Sequence, residues 1–369
     1  MMMSQDMHAV RTFPTLKPFR ASTVAHDPHD VMRLALSESA AGASPKALAA
    51  ARAEIERAHW YPHSDGEPLR GLLARHYGLP RQKVIVGNGL DEVIMLVALA
   101  TSGNTKPTAV TANTFAGYAA SLEISGHALI TVPQAAAGGI DLDGLCDAAA
   151  QAAAVVVCNP HNPTGTALNA DQVKILVEVC QDAGALLVLD EAYAEFADAT
   201  RFGSGLPYLH SRGIVVLRTF SKAYGLAGLR CGYALGDENL IGAMTAIRTA
   251  LPYNTNRVAL AAAAAALADQ HHLRNVVNDC AVARQVLSTK LATMGVQSLP
   301  SQTNFLLAYF GDDAPGIVGR LADTHRIHIR DMTGLGLSGW ARISVPLTRD
   351  VPILTSALSS AMAVTGAHH

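Results

Sequence analysis

A lysine, two hydroxyls and an arginine fall within one short string, Thr219-Phe220-Ser221-Lys222-Ala223-Tyr224-Gly225-Leu226-Ala227-Gly228-Leu229-Arg230. The apolar run Ile214 to Leu217 precedes it, so a strand would deliver these groups at its carboxyl end, where open α/β sheets bind ligands. Thr219, Ser221 and Arg230 together can hold a phosphate, which leaves the Lys222 amine free to react. Neighbouring cations and partial burial lower a lysine's pKa and prepare it to form a Schiff base with an aldehyde. Taken singly, a lysine in a loop is ordinarily a solvated surface group.

Two further strings stand in the same position relative to a strand. Asn159-Pro160-His161-Asn162-Pro163-Thr164-Gly165 follows Val155 to Cys158, and its two Asn-Pro steps favour extended backbone and turns. They would hold Asn162 beyond the strand end with its amide available to a ligand oxygen; turn chemistry alone would account for the string equally well. Asp190-Glu191-Ala192-Tyr193 follows Ala185 to Leu189. An aspartate at the end of a buried strand is costly unless a cation meets it. A protonated pyridine nitrogen is such a cation, and its protonation makes the ring an electron sink. Tyr193, three residues on, can reach that ring's phenolic oxygen, whereas Asp190 taken singly reads more simply as a cap on a following helix.

The elements that must position these strings are legible as a rhythm. Val84-Ile85-Val86 ends in Gly87-Asn88-Gly89, and Asp91 to Ala100 continues as an apolar helix. Strand-like runs recur at Thr108 to Thr111, Ala128 to Val132, Val155 to Cys158, Ala185 to Leu189 and Ile214 to Leu217, each apolar on both faces as a strand between two helical layers should be. This predicts an α/β fold: a mostly parallel sheet between helices over roughly residues 60 to 250. Upstream, Pro45 to Ala58 reads as a helix with Leu48, Ala51, Ile55 and Ala58 on one stripe. Downstream of Leu251-Pro252 the texture changes to helices at Val258 to Ala268 and Leu273 to Met294, short strands at Asn304 to Ala308, Ile327 to Ile329 and Ala341 to Val345, and a last helix from Val351 to Val364. The expected organisation is an N-terminal arm over residues 1–30, a large α/β domain over 31–255 whose first part packs with its neighbour, and a smaller α+β domain over 256–369.

Composition narrows the class of partner. The chain has 369 residues, 50% of them hydrophobic, with a formal net charge of -2, so it can bury a large core and carries no basic surplus for a nucleic acid or an acidic membrane. A small-molecule partner is expected instead. The cysteines Cys146, Cys158, Cys180, Cys231 and Cys280 lie far apart, without metal-ligand spacing, as expected of buried thiols in a reducing compartment. No cleavable leader or membrane-length apolar run is apparent, so a cytoplasmic location is expected.

The three strings, in this order, resemble those of fold-type I pyridoxal-phosphate aminotransferases, and Ser221-Lys222-Ala223-Tyr224-Gly225-Leu226-Ala227-Gly228-Leu229-Arg230-Cys231-Gly232-Tyr233 resembles the histidinol-phosphate aminotransferase branch. The likeness runs from about residue 33 to the C-terminal helix. It implies pyridoxal 5'-phosphate bound covalently by Lys222, Asp190 on its pyridine nitrogen, and Asn162 and Tyr193 on its phenolic oxygen. It implies that Thr219, Ser221, Arg230 and the backbone N–H groups of Leu90 and Asp91 hold the phosphate, which also suits the unpaired donors of a helix N-terminus. Phe115 would stack on the ring, and Tyr61 would reach the phosphate of a neighbouring subunit, so a homodimer with shared active sites is implied.

On the substrate side the resemblance points to Arg342, in Ala341-Arg342-Ile343-Ser344-Val345, as a carboxylate clamp. A guanidinium fork grips a carboxylate through two parallel hydrogen bonds, which a lysine cannot do. Arg330 occupies the place of an arginine for a substrate phosphate, and Asn304 matches a further position near substrate. One stretch departs from the pattern: the family's usual Asn-Glu-Asn-Pro is here Ser37-Glu38-Ser39-Ala40, on the substrate side of the site. The expected reaction is transamination between an amino donor and a keto acid, with histidinol phosphate and 2-oxoglutarate the leading pair. An aromatic amino acid as donor, or decarboxylation on the same scaffold, are the rival readings. A ligand-sensing regulator would need a DNA-binding domain, for which the N-terminal arm is too short.

Overall fold

The computed structural model describes residue 16 and residues 31–135 and 138–363; the arm read over 1–30 and the end of the last helix at Val364 lie outside the described residues. Among the described residues thirteen strands run in chain order as β1 (Met32–Arg33), β2 (Val84–Gly87), β3 (Thr108–Thr111), β4 (Leu129–Val132), β5 (Ala154–Cys158), β6 (Leu186–Asp190), β7 (Ile214–Thr219), β8 (Gly232–Gly236), β9 (Gln297–Ser298), β10 (Phe305–Tyr309), β11 (Ile327–His328), β12 (Arg330–Asp331) and β13 (Trp340–Ser344).

A seven-stranded sheet has the order β2-β8-β7-β6-β5-β3-β4. Pairing from β4 through β7 is parallel, while β8 runs antiparallel to both β7 and β2. Its strands are short β-branched runs whose alternate residues enter different cores. Val155, Val157, Leu187, Leu189 and Val216 face one helical layer, and Val156, Cys158, Val188, Val215 and Leu217 face the other. Burial on both faces therefore holds for the central strands. The edge strand β4 corrects that expectation: Leu129 and Ile130 are half-buried and Thr131 is exposed, because among the described residues no strand pairs beyond it.

Strand β8 was not apparent from the sequence. Its apolar centre is only Tyr233-Ala234-Leu235 between Gly232 and Gly236, and the pairing partners on both sides, not its own pattern, make it a strand. The helix Pro45–Ile55 forms as expected, with the Ser44 hydroxyl accepting from Ala47 N–H at 3.1 Å. Its buried stripe differs from the expected one. Ala47 and Ala51 face the alanine-rich helix Arg257–Ala268, where small side chains allow close approach, and Leu48 and Ile55 are exposed.

The C-terminal part forms an antiparallel sheet of order β12-β13-β10-β9 and a two-stranded parallel pair of β1 with β11. The helices Gln270–Thr293, Ala314–His325 and Val351–Ala363 cover it through Val276, Ala283, Leu287, Ile317, Leu321, Leu354 and Leu358. The pairing of β1 fastens the start of the described chain to this second core, and residues 34–44 then cross to the large sheet as a strap. Among the described residues no helix is long and apolar enough to cross a membrane.

Candidate active site

The register of the parallel strands brings the three motif strings to one edge. Cys158 of β5 pairs with Asp190 of β6, and Asp190 pairs with Leu217 of β7, so the segments that follow open side by side. They enclose a cavity of about 380 Å³. Its wall contains Leu90, Asp91, Phe115, Asn162, Asp190, Tyr193, Thr219, Ser221, Lys222, Arg230, Arg330 and Arg342, so most of the residues singled out in the sequence meet there.

Lys222 and Asp190 set the electrostatics. The Lys222 amine donates to the Leu36 carbonyl at 3.1 Å, and burial, aided by the Arg342 and Arg230 guanidinium groups, lowers its pKa from 10.5 to about 8. Glu38 and Asp190 act in the opposite sense. Asp190 is 4% exposed, and burial pushes its carboxyl up to about 6, although Tyr118 O–H and Ala192 N–H both donate to it, at 2.5 and 3.0 Å. A buried carboxylate that keeps two donors and still resists charge is suited to a cationic ligand group.

The phosphate-type groups cluster at one end. Gly89 opens the helix Gly89–Ala100, whose cap residue Asn88 makes no side-chain capping hydrogen bond, so Leu90 and Asp91 lie in a first turn rich in N–H donors. Gly89 has φ of +80°, and a Cβ there would fall 2.3 Å from Arg230 Nη2; glycine lets the guanidinium lie against the helix start. Arg230 donates to the Ala227 carbonyl at 3.1 Å and pairs with the Asp91 carboxylate, an exposed partner that an anion can displace. Thr219 Oγ1 accepts from Ser221 N–H at 3.1 Å, which shapes the loop between the strand and Lys222.

At the opposite wall Arg342 is 3% exposed and pairs with no carboxylate among the described residues. Its fork donates to Asn162 Oδ1 at 2.5 Å and to the Ala35 carbonyl at 2.9 Å, while its Nε is buried without a partner among the described residues. Burial, with Arg330 nearby, lowers its pKa to about 10. Such a guanidinium favours an incoming anion. Both Asn-Pro bonds around Asn162 are cis.

Two predicted residues stand apart. Asn304 is buried outside the cavity wall, and its amide donates to the Ser37 and Glu38 carbonyls at 3.1 and 3.2 Å, holding the strap. Tyr61 is 79% exposed and stacks on Tyr253 with ring centroids 4.7 Å apart, away from this chain's cavity. Leu36 and Glu38 also line the cavity, in the stretch that departs from the family pattern, whereas Tyr118 and Cys158 line it and were not assigned to the site. Tyr118 had a signal: it follows Phe115 by three residues at the start of the helix Ala116–Ile124, the spacing that places two rings on one face, and they meet edge to face at 5.5 Å.

A family model described as "Aminotransferase class I and II" matches residues 29–355. The chain belongs to this family. Its members are pyridoxal-phosphate-dependent aminotransferases, and the enzyme's relatives agree. The histidinol-phosphate aminotransferase of Anaeromyxobacter sp. (strain Fw109-5) is 36% identical over 343 residues, covering 90% of this chain and 92% of the relative. That of Bacillus subtilis (strain 168) is 33% identical, covering 94% and 95%. Among solved structures, the histidinol-phosphate aminotransferase from Sinorhizobium meliloti in complex with pyridoxal-5'-phosphate has a TM-score of 0.82 and 31% identity, covering 91% of each chain. The cavity of this aminotransferase fits that cofactor on its own chemistry: a lysine of lowered pKa, a buried carboxyl with no ion-pair contact among the described residues and a helix start joined by an arginine stand around one space.

Proposed function

We propose that the enzyme transfers an amino group from histidinol phosphate to 2-oxoglutarate. The observation that carries this reading is the arrangement of Lys222, Asp190, Arg342 and Arg330 on the wall of one cavity. In it Lys222 would bind the cofactor covalently, Asp190 would pair with its ring nitrogen, Asn162 and Tyr193 would hold its phenolic oxygen, and Phe115 would pack against the ring. Thr219, Ser221, Arg230 and the N–H groups of Leu90 and Asp91 hold the cofactor phosphate. When bound, pyridoxal 5'-phosphate supplies an aldehyde for the substrate amine and a ring that withdraws electrons from the substrate's Cα.

The chain's own residues do the rest. A lysine whose pKa lies near 8 holds a substantial neutral fraction at physiological pH, so Lys222 can take the substrate's Cα proton and would return it to the cofactor's aldehyde carbon, two atoms along. Arg342 orients a carboxylate, that of 2-oxoglutarate or of the glutamate formed from it, and Arg330 meets the phosphate of the donor. The names of the relatives favour histidinol phosphate as donor. Asn304 serves as the anchor of the strap, and substrate contact passes to the cavity wall itself.

The reading extends to a cytoplasmic homodimer in which Tyr61 reaches the partner's cofactor phosphate. Support comes from an exposed apolar surface at Ile55, Trp60, Tyr61, Leu251 and Tyr253, of the kind that marks an interaction face. Two domains are part of the same reading, supported by two hydrophobic cores; the boundary expected at about residue 255 shifts to the start of the helix Gln270–Thr293, because the helix Arg257–Ala268 packs into the core of the large sheet and the second core takes its first downstream member at Val276.

The test is a pair of half-reactions. Histidinol phosphate added to the purified holoenzyme should convert the visible absorbance of the lysine-bound cofactor to that of its aminated form, and 2-oxoglutarate should restore it. Inertness toward histidinol phosphate with reaction of phenylalanine would replace the donor, and carbon dioxide release without keto-acid consumption would replace transamination. Lys222→Ala should lose the visible band and nearly all turnover.

A further inference from the structure

Behind Asp190, on the other face of the large sheet, lies an ionic cluster that takes no part in the cavity wall. Residues alternate faces along a strand. Leu217, in register with Asp190, packs with Cys158, Val188 and Tyr118 on the cavity side, and Arg218 therefore turns to the layer that holds Tyr77 and Tyr233. There Arg218 Nη2 and Nε donate to Glu191 Oε2 at 2.6 and 3.0 Å, and Nη1 donates to Glu195 Oε1 at 3.1 Å. Glu191 also accepts from Gly205 N–H at 2.6 Å and from the Ser204 hydroxyl at 2.8 Å. The side chains of Arg218, Glu191 and Glu195 are 9%, 0% and 9% exposed.

Stability does not explain such a cluster. Apolar residues of the same volume are often as stabilising as a buried ion pair, because desolvation consumes the Coulomb gain. What the ions add is direction. Arg218 adjoins Thr219, three residues before Lys222 and at the start of the phosphate-type loop. Glu191 adjoins Asp190, and its own N–H is bound to the Leu217 carbonyl at 2.9 Å. The guanidinium fork therefore spans the two strand ends that carry the acid and the amine of the site.

We propose that Arg218 is a positioning residue for cofactor binding: by bracing Glu191 and Glu195 behind the ends of β6 and β7, it sets the placement of the Asp190 carboxylate relative to the Thr219–Lys222 loop. This rests on the reading that Asp190 and Lys222 hold pyridoxal 5'-phosphate. Its consequence is that the cluster influences affinity for the cofactor from the far side of the sheet, without touching it.

The experiment titrates cofactor-free full-length protein with pyridoxal 5'-phosphate, followed by absorbance, beside the thermal midpoint of the same cofactor-free samples. Arg218→Met should weaken binding by about tenfold or more, as losing an outer hydrogen-bonding partner does for metal sites. Arg218→Lys, which keeps the charge and loses the fork, should fall between Arg218→Met and the parent protein. Glu191→Gln keeps the volume and loses the charge on the strand end, and should also weaken binding; it carries the test should Arg218→Met not fold. Binding within twofold of the parent in the folded variants, whatever their thermal midpoints, would overturn the inference, as would Arg218→Lys binding no better than Arg218→Met. Asp190→Ala is the control: if it loses affinity while the Arg218 variants keep it, only the positioning role fails, and if it keeps affinity the cofactor reading fails with it.

Discussion

Asp190→Asn should make the cofactor-free protein more stable while disabling the enzyme. Burial lifts the Asp190 carboxyl from 3.8 to about 6. That displacement corresponds to roughly 3 kcal/mol between its charged and neutral forms. The folded value is the higher one, so the folded chain favours the neutral acid. Below the unfolded value both states are protonated and the residue costs nothing. As pH rises through the interval between the two values the cost grows, and above about 6 it is complete. Asparagine never bears the charge, but it can accept from only one of Tyr118 O–H and Ala192 N–H, a loss of about 1 kcal/mol. The net gain should be about 2 kcal/mol near neutrality, fall to about zero near pH 4.5 and turn into a loss of about 1 kcal/mol at lower pH. Urea unfolding of cofactor-free parent and variant at about pH 8 and about pH 4.5 measures both ends of that curve. A gain of equal size at both, or a loss at the higher pH, would refute the assignment of Asp190 as an acid whose charge is disfavoured by burial. In the holoenzyme the same variant should lose turnover on the order of 100-fold, because a fixed charge facing the reacting ring is gone.

Three other outcomes follow from the same geometry. Arg342→Lys removes the fork beside Asn162, and the half-reaction with 2-oxoglutarate should slow by about 10- to 100-fold, the worth of charged hydrogen bonds of about 1.5–3 kcal/mol. The half-reaction with histidinol phosphate, which has no carboxylate, should slow less; equal losses in stopped-flow absorbance would contradict the role. Gly89→Ala places a Cβ 2.3 Å from Arg230 Nη2 at a φ of +80°, so chemical denaturation should show a loss of about 1 kcal/mol together with weaker cofactor binding. The rate at which cofactor-free protein captures pyridoxal 5'-phosphate at Lys222 should rise with pH through a midpoint near 8, since only the neutral amine reacts. A midpoint above about 10, the ordinary lysine range, would mean that neither burial nor Arg342 acts on that amine.

The strand-and-loop rhythm was legible because parallel strands buried on two faces must be uniformly apolar, and the residues that interrupt them must be turns or ligands. Thus β3, the end of β5 and the start of β7 stand where the sequence places them, with Asn162 beyond β5, Lys222 beyond β7 and Asp190 as the last residue of β6; β7 itself runs two residues past the expected Leu217, to Thr219. Strand β8 escaped because three apolar residues between glycines carry no pattern of their own. The stripe expected on Pro45–Ile55 failed because helical spacing says which residues share a face and not which face is covered; an alanine-rich neighbour selected Ala47 and Ala51 over Leu48 and Ile55.

By itself, then, the sequence determined the chemistry that could occur: which side chains are nucleophile, acid and anion receptor, and which strand ends bear them, since both follow from residue type and local periodicity. Tertiary structure alone decided the long-range juxtapositions. Tyr118 donates to Asp190 across 72 positions, Arg342 meets Asn162 across 180, and Asn304 ties the strap across more than 260. No local pattern encodes such pairs, because they arise only when strand register and the packing of the two cores bring distant segments to one edge.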